Sequence, residues 1–496
     1  MKIQVQKTLK KGEGLLVVPY FQDYQTKYPT SYNADIKALI KKALKDQEFE
    51  GKLAETIYFT IDSKVSPQKI VIMGCGKVDK FDQNDARRIG AGINSEARKH
   101  KQKKVTILMT PEFSLYTEEL TEGLILKNYR ISKYKTGDGD KEADKKEVKE
   151  AVLVSTKADK VRTESTKGRI IAEAVNMTKD LVNGPANIVD AEYFVKVAKR
   201  LGRDFGYGVK VFNKDKLKKL GWGGLLSVNK GAEKPAKCLI LEYKGGKRSE
   251  KPVILVGKGV IFDTGGYNLK PTKYIEDMHS DKAGASAVMG VFAALKELRI
   301  EQNVIGILPL TENMVDGKST RPSDIVTMLN GQTVEIGNTD AEGRVILADA
   351  LTYGVGRNPA YMIDIATLTG AAMVALGDRY SAVFSNDKRL KDLLVDAGAE
   401  MDDPIWELPL HKDHKEKMKS QVADLRNADA GTSYLAGASK GAAFLSYFIK
   451  DAKGKDAKWA HIDIGGTAYT NDPRKYEQKG ATGSGVRVLL RFLEGL

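Results

Sequence analysis

The stretch Pro252-Val253-Ile254-Leu255-Val256-Gly257-Lys258-Gly259-Val260-Ile261-Phe262-Asp263-Thr264-Gly265-Gly266 opens as an unbroken apolar run, then breaks into glycines, a lysine and an aspartate. A short apolar run bounded by glycines is the pattern of a strand buried on both faces. Downstream, Ala285 to Leu298 place Val288, Val291, Phe292, Leu295 and Leu298 on one helical face, and Val304 to Leu308 is strand-like again. Similar runs recur at Cys238–Tyr243, Tyr361–Ile365 and Trp459–Ile464. Strands alternating with amphipathic helices predict an α/β domain whose central sheet is largely parallel and covered by helices.

Toward the N-terminus, Gly14–Pro19, Glu55–Ile61, Gln68–Met73, Lys104–Met109, Gly123–Leu126 and Ala151–Val154 also predict strands, with helical patterns at Ile36–Leu44 and Asp85–Lys99 between them. Residues 1–160 are therefore expected to form a separate N-terminal α/β domain. The charged stretch Thr136–Lys149 carries Gly137 and Gly139 and predicts an exposed loop or hairpin tip. Ile170, Ala174, Met177 and Leu181 follow helical spacing until Asn183-Gly184-Pro185 stops them. Residues 161–185 are thus expected to be a connecting helix, and 186–496 a second, larger α/β domain.

At roughly 150 residues per domain, a chain of 496 residues has room for two or three domains. Its 42% apolar and 29% charged residues exclude wholesale disorder. Two cysteines, Cys75 and Cys238, cannot build a disulfide framework or a zinc finger. No apolar run approaches the about 18 residues of a membrane span or forms a secretory leader, so no membrane partner and a cytoplasmic location are expected. The net charge of +15 is uneven, with +17 on residues 1–250 and −2 on the rest. Acidic residues interleave with the lysines, as Glu142, Asp144 and Glu147 do within Lys141–Lys149. A solvated surface is therefore favoured over the competing expectation of nucleic-acid contact, for which no helix-turn-helix or dense basic helix speaks.

Reactive residues of open α/β sheets sit just beyond the carboxyl ends of strands. Asp263 and Lys258 stand there, followed by Lys270, by Asp277-Met278-His279-Ser280-Asp281, and by Asn338-Thr339-Asp340-Ala341-Glu342-Gly343-Arg344. Asp263, Asp281, Asp340 and Glu342 supply enough carboxylates to bridge two divalent metal ions about 3.5 to 4 Å apart. Without metal, four clustered carboxylates would raise one another's pKa. The bland alternative is that Asp263 and Asp340 are turn or cap residues beside glycines.

Together, Val256-Gly257-Lys258-Gly259, Phe262 to Gly266, Asp281 with Gly284-Ala285, and above all Asn338 to Val345 resemble the signatures of the leucine aminopeptidase (cytosol aminopeptidase) family. Ala366 to Ala371, Trp459 to Ile464 and Asp180-Leu181-Val182-Asn183 match as well, so the resemblance covers residues 165–496 in detail. It implies a dinuclear exopeptidase that takes peptides with a free N-terminus and uses two divalent ions, zinc or manganese. Lys258, Asp263, Asp281 and Glu342 would hold the tightly bound ion, and Asp263, Asp340 and Glu342 the exchangeable one. A metal-bridging water would attack the first peptide carbonyl, with Lys270 stabilising the oxyanion. Arg344 would hold a bicarbonate acting as general base, helped by backbone groups around Ala341, Gly343 and Leu368. Met278, Thr367 and Gly370 would line the pocket for the first side chain, favouring Leu or Met. The resemblance also implies a homohexamer built as a dimer of trimers.

The chain departs from the family pattern at His279, where lysine is common, at Lys282, where methionine is frequent, and at Gly466, where alanine is usual. Lys282 adds a positive charge beside a presumed ligand. His279 is not read as a zinc ligand, since the five histidines include no His-x-x-x-His pair. Some members of the family also bind DNA, which keeps that second role as the alternative. Others are inactive, but Lys258, Asp263, Lys270, Asp281, Asp340, Glu342 and Arg344 are all intact here. A dinuclear phosphatase is disfavoured because such sites draw on several histidines.

Overall fold

Leu15–Tyr20 is a strand because five of its six side chains are buried, and it is bonded in parallel to Lys69–Gly74 on one side and Lys104–Leu108 on the other. The computed structural model describes residues 1–496 except 11–13, 24–27, 30–32, 47–48, 61–68, 132, 138–146 and 430–434. Its contacts divide the chain into two units, 1–176 with 472–478, and 177–471 with 479–496. The boundary at 176/177 falls inside the helix Ala158–Asn183.

In the first unit a six-stranded sheet runs in the order Lys2–Gln6, Glu150–Val154, Lys104–Leu108, Leu15–Tyr20, Lys69–Gly74, Thr56–Thr60, and only the last strand is antiparallel. The expected strand at Gly123–Leu126 is corrected: these residues belong to the helix Thr117–Asn128. A four-residue apolar run does not distinguish a strand from a helix buried on all sides, and here even Glu118, Glu119 and Glu122 are buried. Glu122 pairs with Arg87 at 3.0 Å, both side chains fully enclosed. Glycine at 123 lets the helix Gln83–Lys99 approach, since a Cβ there would stand 2.0 Å from the Arg87 carbonyl oxygen. Most of the stretch Thr136–Lys149 lies outside the described residues.

The second unit is built on a mixed sheet in the order Ile405–Glu407, Ser381–Ser385, Trp459–Asp463, Tyr361–Ala366, Val253–Gly257, Asn303–Asn313, Lys237–Lys244, Gly208–Phe212. Its four central strands, Trp459–Asp463 to Asn303–Asn313, are mutually parallel. Helices cover both faces. Ile305 and Ile307 join the core that includes Val345, Ile346 and Leu347 of the helix Glu342–Val355. Gly306 between them meets Phe292 of the helix Ala283–Ala294 on the other face, where a Cβ would lie 2.8 Å from that ring. The sheet is thus the doubly covered, largely parallel one expected. Gly259–Asp263 pairs with the far end of Asn303–Asn313, with a register shift between Val260 and Asp263. Among the described residues no helix is long and apolar enough to cross a membrane.

Candidate active site

Lys258 follows directly on Val253–Gly257, at the carboxyl end of a central strand. Its N–H donates to the Ile365 carbonyl at 3.1 Å, and its own carbonyl accepts from Ala285 at 2.8 Å, so two neighbouring elements fix the backbone. The side chain is 3% exposed. Its Nζ lies 2.8 Å from Asp281 Oδ1 and 2.9 Å from Glu342 Oε1, and donates to the Thr367 carbonyl at 2.8 Å. Gly343 leaves this lysine its path, because a Cβ there would stand 2.7 Å from Nζ.

A second cation completes the group. Lys270 Nζ is 2.8 Å from Asp263 Oδ2 and 2.6 Å from Asp340 Oδ1. Asp263, Asp340 and Glu342 each bring an oxygen to within 4.8 Å of the others. The structure therefore gathers Lys258, Asp263, Lys270, Asp281, Asp340 and Glu342 into one cluster, in which four carboxylates face two ammonium groups. Thr367 Oγ1 donates to Asp281 Oδ1 at 2.7 Å. Met278 precedes Asp281 on a short helical turn, Met278–Ser280. Gly370 opens the helix Gly370–Leu376, and among the described residues nothing stands where its side chain would be.

The electrostatics follow from burying more acids than bases. Burial, then the charge of Asp263, pushes the Glu342 carboxyl up to about 8. Burial pushes Asp281 up to about 6, and it raises Asp340 as well. For Lys258 burial acts downward, but Asp281, Glu342 and Asp263 outweigh it and the net direction is up. Lys270 behaves alike, with Asp263, Glu342 and Asp340 prevailing over burial. Asp281 Oδ2 and Glu342 Oε2 are buried with no hydrogen-bond partner among the described residues. Unpartnered buried carboxylate oxygens are costly, and hard oxygen donors in surplus suit divalent cations. The residues present fit such ions.

Arg344 stands on the first turn of Glu342–Val355, where Nη1 donates to the Asn427 carbonyl at 2.8 Å while Nε is buried without a partner among the described residues. Burial lowers its pKa against the pull of Glu342 and Asp463. Ala341 caps the same helix and Gly343 lies within it. Leu368 donates its N–H to Asp463 Oδ1 at 3.1 Å, and Asp463 also accepts from Thr369 N, Thr369 Oγ1 and Gly465 N. Asp463 thereby organises the loop 367–370.

The three departures have physical explanations. Lys282 is wholly buried and donates to the carbonyls of His279 at 2.6 Å and Gly184 at 2.9 Å, and burial pushes it down to about 7. His279 packs edge-on against Tyr469 and lies outside the carboxylate cluster. At Gly466 a Cβ would stand 2.4 Å from the Gly377 carbonyl oxygen, which leaves no room for alanine without a shift.

Sequence reasoning missed two buried asparagines. Asn313 Nδ2 donates to Asp263 Oδ1 at 2.8 Å and to the Thr339 carbonyl at 3.1 Å. It lies at the end of a strand read only as far as Leu308, and extending that run would have placed it beside Asp263. Asn427 has no neighbouring motif to signal it.

Comparison with known proteins gives concordant matches. The model for the cytosol aminopeptidase family, catalytic domain, matches residues 176–490, and that for the family's N-terminal domain matches 17–138. A probable cytosol aminopeptidase of Geobacter sp. (strain M21) is 36% identical over 497 residues, covering 99% of each chain. One of Rickettsia typhi is 36% identical, with 97% of each covered. Among solved structures, the bottromycin maturation enzyme BotP in complex with Mn has a TM-score of 0.82 at 27% identity, covering 97% of this chain and 99% of its own.

Proposed function

Because this chain belongs to the cytosol aminopeptidase family, and so to the peptide-cleaving exopeptidases, we propose that it removes single N-terminal residues, preferring leucine and other apolar side chains, in the cytoplasm. The observation that carries this is the buried cluster in which four carboxylates outnumber two lysines and leave Asp281 Oδ2 and Glu342 Oε2 unpartnered. Lys258, Asp263, Asp281 and Glu342 would hold one divalent ion, and Asp263, Asp340 and Glu342 a second, zinc or manganese. Two such ions supply Lewis acidity to the scissile carbonyl and to the attacking water.

The chain's own groups do the rest. To serve as a ligand Lys258 would have to be neutral, and neutralising the carboxylates that hold its pKa up would favour that form. Lys270 keeps its charge and faces the developing oxyanion as a fixed cation. Arg344, whose Nε has no partner among the described residues, would hold on its planar fork a bicarbonate able to serve as general base, with backbone groups at Ala341, Gly343 and Leu368 helping to hold it. Met278, Thr367 and Gly370 receive the first side chain. We further infer a homohexamer, a dimer of trimers, since closed symmetry is usual for such enzymes; light scattering at about six times 54.5 kDa tests it.

The activity is tested with leucyl and N-acetyl-leucyl chromogenic substrates on protein first stripped of divalent ions and then resupplied with Mn²⁺. Turnover is expected only with Mn²⁺ and only on the free amine. Equal rates on both substrates would refute the exopeptidase reading.

A further inference from the structure

Asn427 follows the strand Leu425–Arg426 and is fully buried. Its amide spends all its hydrogen-bonding groups on one loop. Oδ1 accepts from the backbone N–H of Gly337 at 2.8 Å and of Asn338 at 3.2 Å. Nδ2 donates to the carbonyls of Asn338 at 2.7 Å and Ala341 at 3.3 Å. Two donors on one side and two acceptors on the other dictate which way the amide points. The loop so held carries Asp340 and leads into Glu342–Val355, while the main-chain carbonyl of Asn427 takes the hydrogen bond from Arg344. Asn427 thus holds the loop through its side chain and Arg344 through its main chain.

We propose that Asn427 is a positioning residue that sets the Asp340 loop and thereby the affinity for the second divalent ion, leaving the first ion's ligands alone. This rests on the reading above that Asp340 serves the second ion only. The selectivity follows from anchorage: Lys258, Asp263 and Asp281 stand on other segments, and although Asn427 contacts Ala341 and Arg344 on either side of Glu342, the Glu342 carboxylate itself is held by Lys258 at 2.9 Å. An aspartate has the same shape but no donors, so Asn427→Asp turns a carboxylate oxygen toward the Asn338 and Ala341 carbonyls and repels the loop it should hold. Asn427→Ser removes the template altogether. It borders a cavity of about 20 Å³ whose lining mixes Val228, Ile336 and Val345 with Asn313, Thr320 and Glu342, room enough for one water beside the shortened side chain.

Calorimetric titration of the metal-free full-length chain with Mn²⁺ decides the matter. The natural protein is expected to show two binding steps. In Asn427→Asp the weaker step should lose about 10- to 100-fold in affinity, the usual effect of losing a partner that orients a ligand, while the tighter step stays put. Turnover should fall at low Mn²⁺ and recover at high Mn²⁺ without a matching rise in KM. Asn427→Ser should repeat the pattern. Both steps weakening together, neither weakening, or neither variant folding would overturn the proposal. A single step in the natural protein would instead overturn the two-ion reading on which it rests.

Discussion

Gly284 is the second residue of the helix Ala283–Ala294, pressed against the strand that carries Ile365. A Cβ at this position would stand 2.1 Å from the Ile365 carbonyl oxygen and 2.9 Å from the Lys258 nitrogen. Ordinary contact begins near 3.4 Å, so Gly284→Ala is short by about 1.3 Å against backbone that cannot rotate away. The helix must retreat by roughly that distance, and the bonds Ala285 N to Lys258 O and Lys258 N to Ile365 O carry the shift to Lys258. Asp281 sits just before the same helix and moves with it. Overpacking of this kind costs about 1–3 kcal/mol of stability. A displacement of about 1 Å in a reacting site costs on the order of 10²-fold in rate, equivalent to about 2.7 kcal/mol of barrier. The assay is kcat/KM on a leucyl chromogenic substrate at saturating Mn²⁺, beside a urea melt. A Gly284→Ala protein with unchanged kcat/KM and an unchanged melting midpoint would refute the reasoning from close approach.

Two further perturbations separate roles. Lys270→Ala is expected to slow turnover by about 10²-fold or more while both Mn²⁺ equivalents remain bound, as for an oxyanion donor; loss of metal, read by elemental analysis, would make Lys270 a ligand instead. In the first unit, burial and then the charge of Glu122 push the Glu119 carboxyl up from 4.5 to about 7. Between those values the folded state holds the proton that the unfolded state has released, so this group makes stability fall as pH rises from about 4.5 to about 7, by about 3 kcal/mol in all. Glu119→Gln should flatten that slope in urea melts at pH 5 and pH 8; an unchanged slope would show that the carboxyl is not the source.

What could be read in the sequence and what could not divide along a physical line. The central strands were legible because burial on both faces leaves unbroken apolar runs, and the helix Ala283–Ala294 because apolar residues recur there at helical spacing; carboxylates or lysines at the ends of such runs are conspicuous. Gly123–Leu126 was misread because its helix is enclosed so fully that the polar residues flanking the apolar run, Glu118, Glu119 and Glu122, are buried too, and the run lost its helical signature. Asn313 and Asn427 were illegible for a different reason. A clustered acid announces chemistry by its cost, since no fold buries four of them without a cation, whereas an asparagine is compatible with any turn or surface. Its meaning at 427 comes from four backbone groups of residues 337 to 341, some ninety positions away in sequence. Groups that bind an ion are therefore marked by residue type, but groups that aim them are marked only by geometry, and the second kind has to be sought by asking which buried amide has every donor and acceptor used.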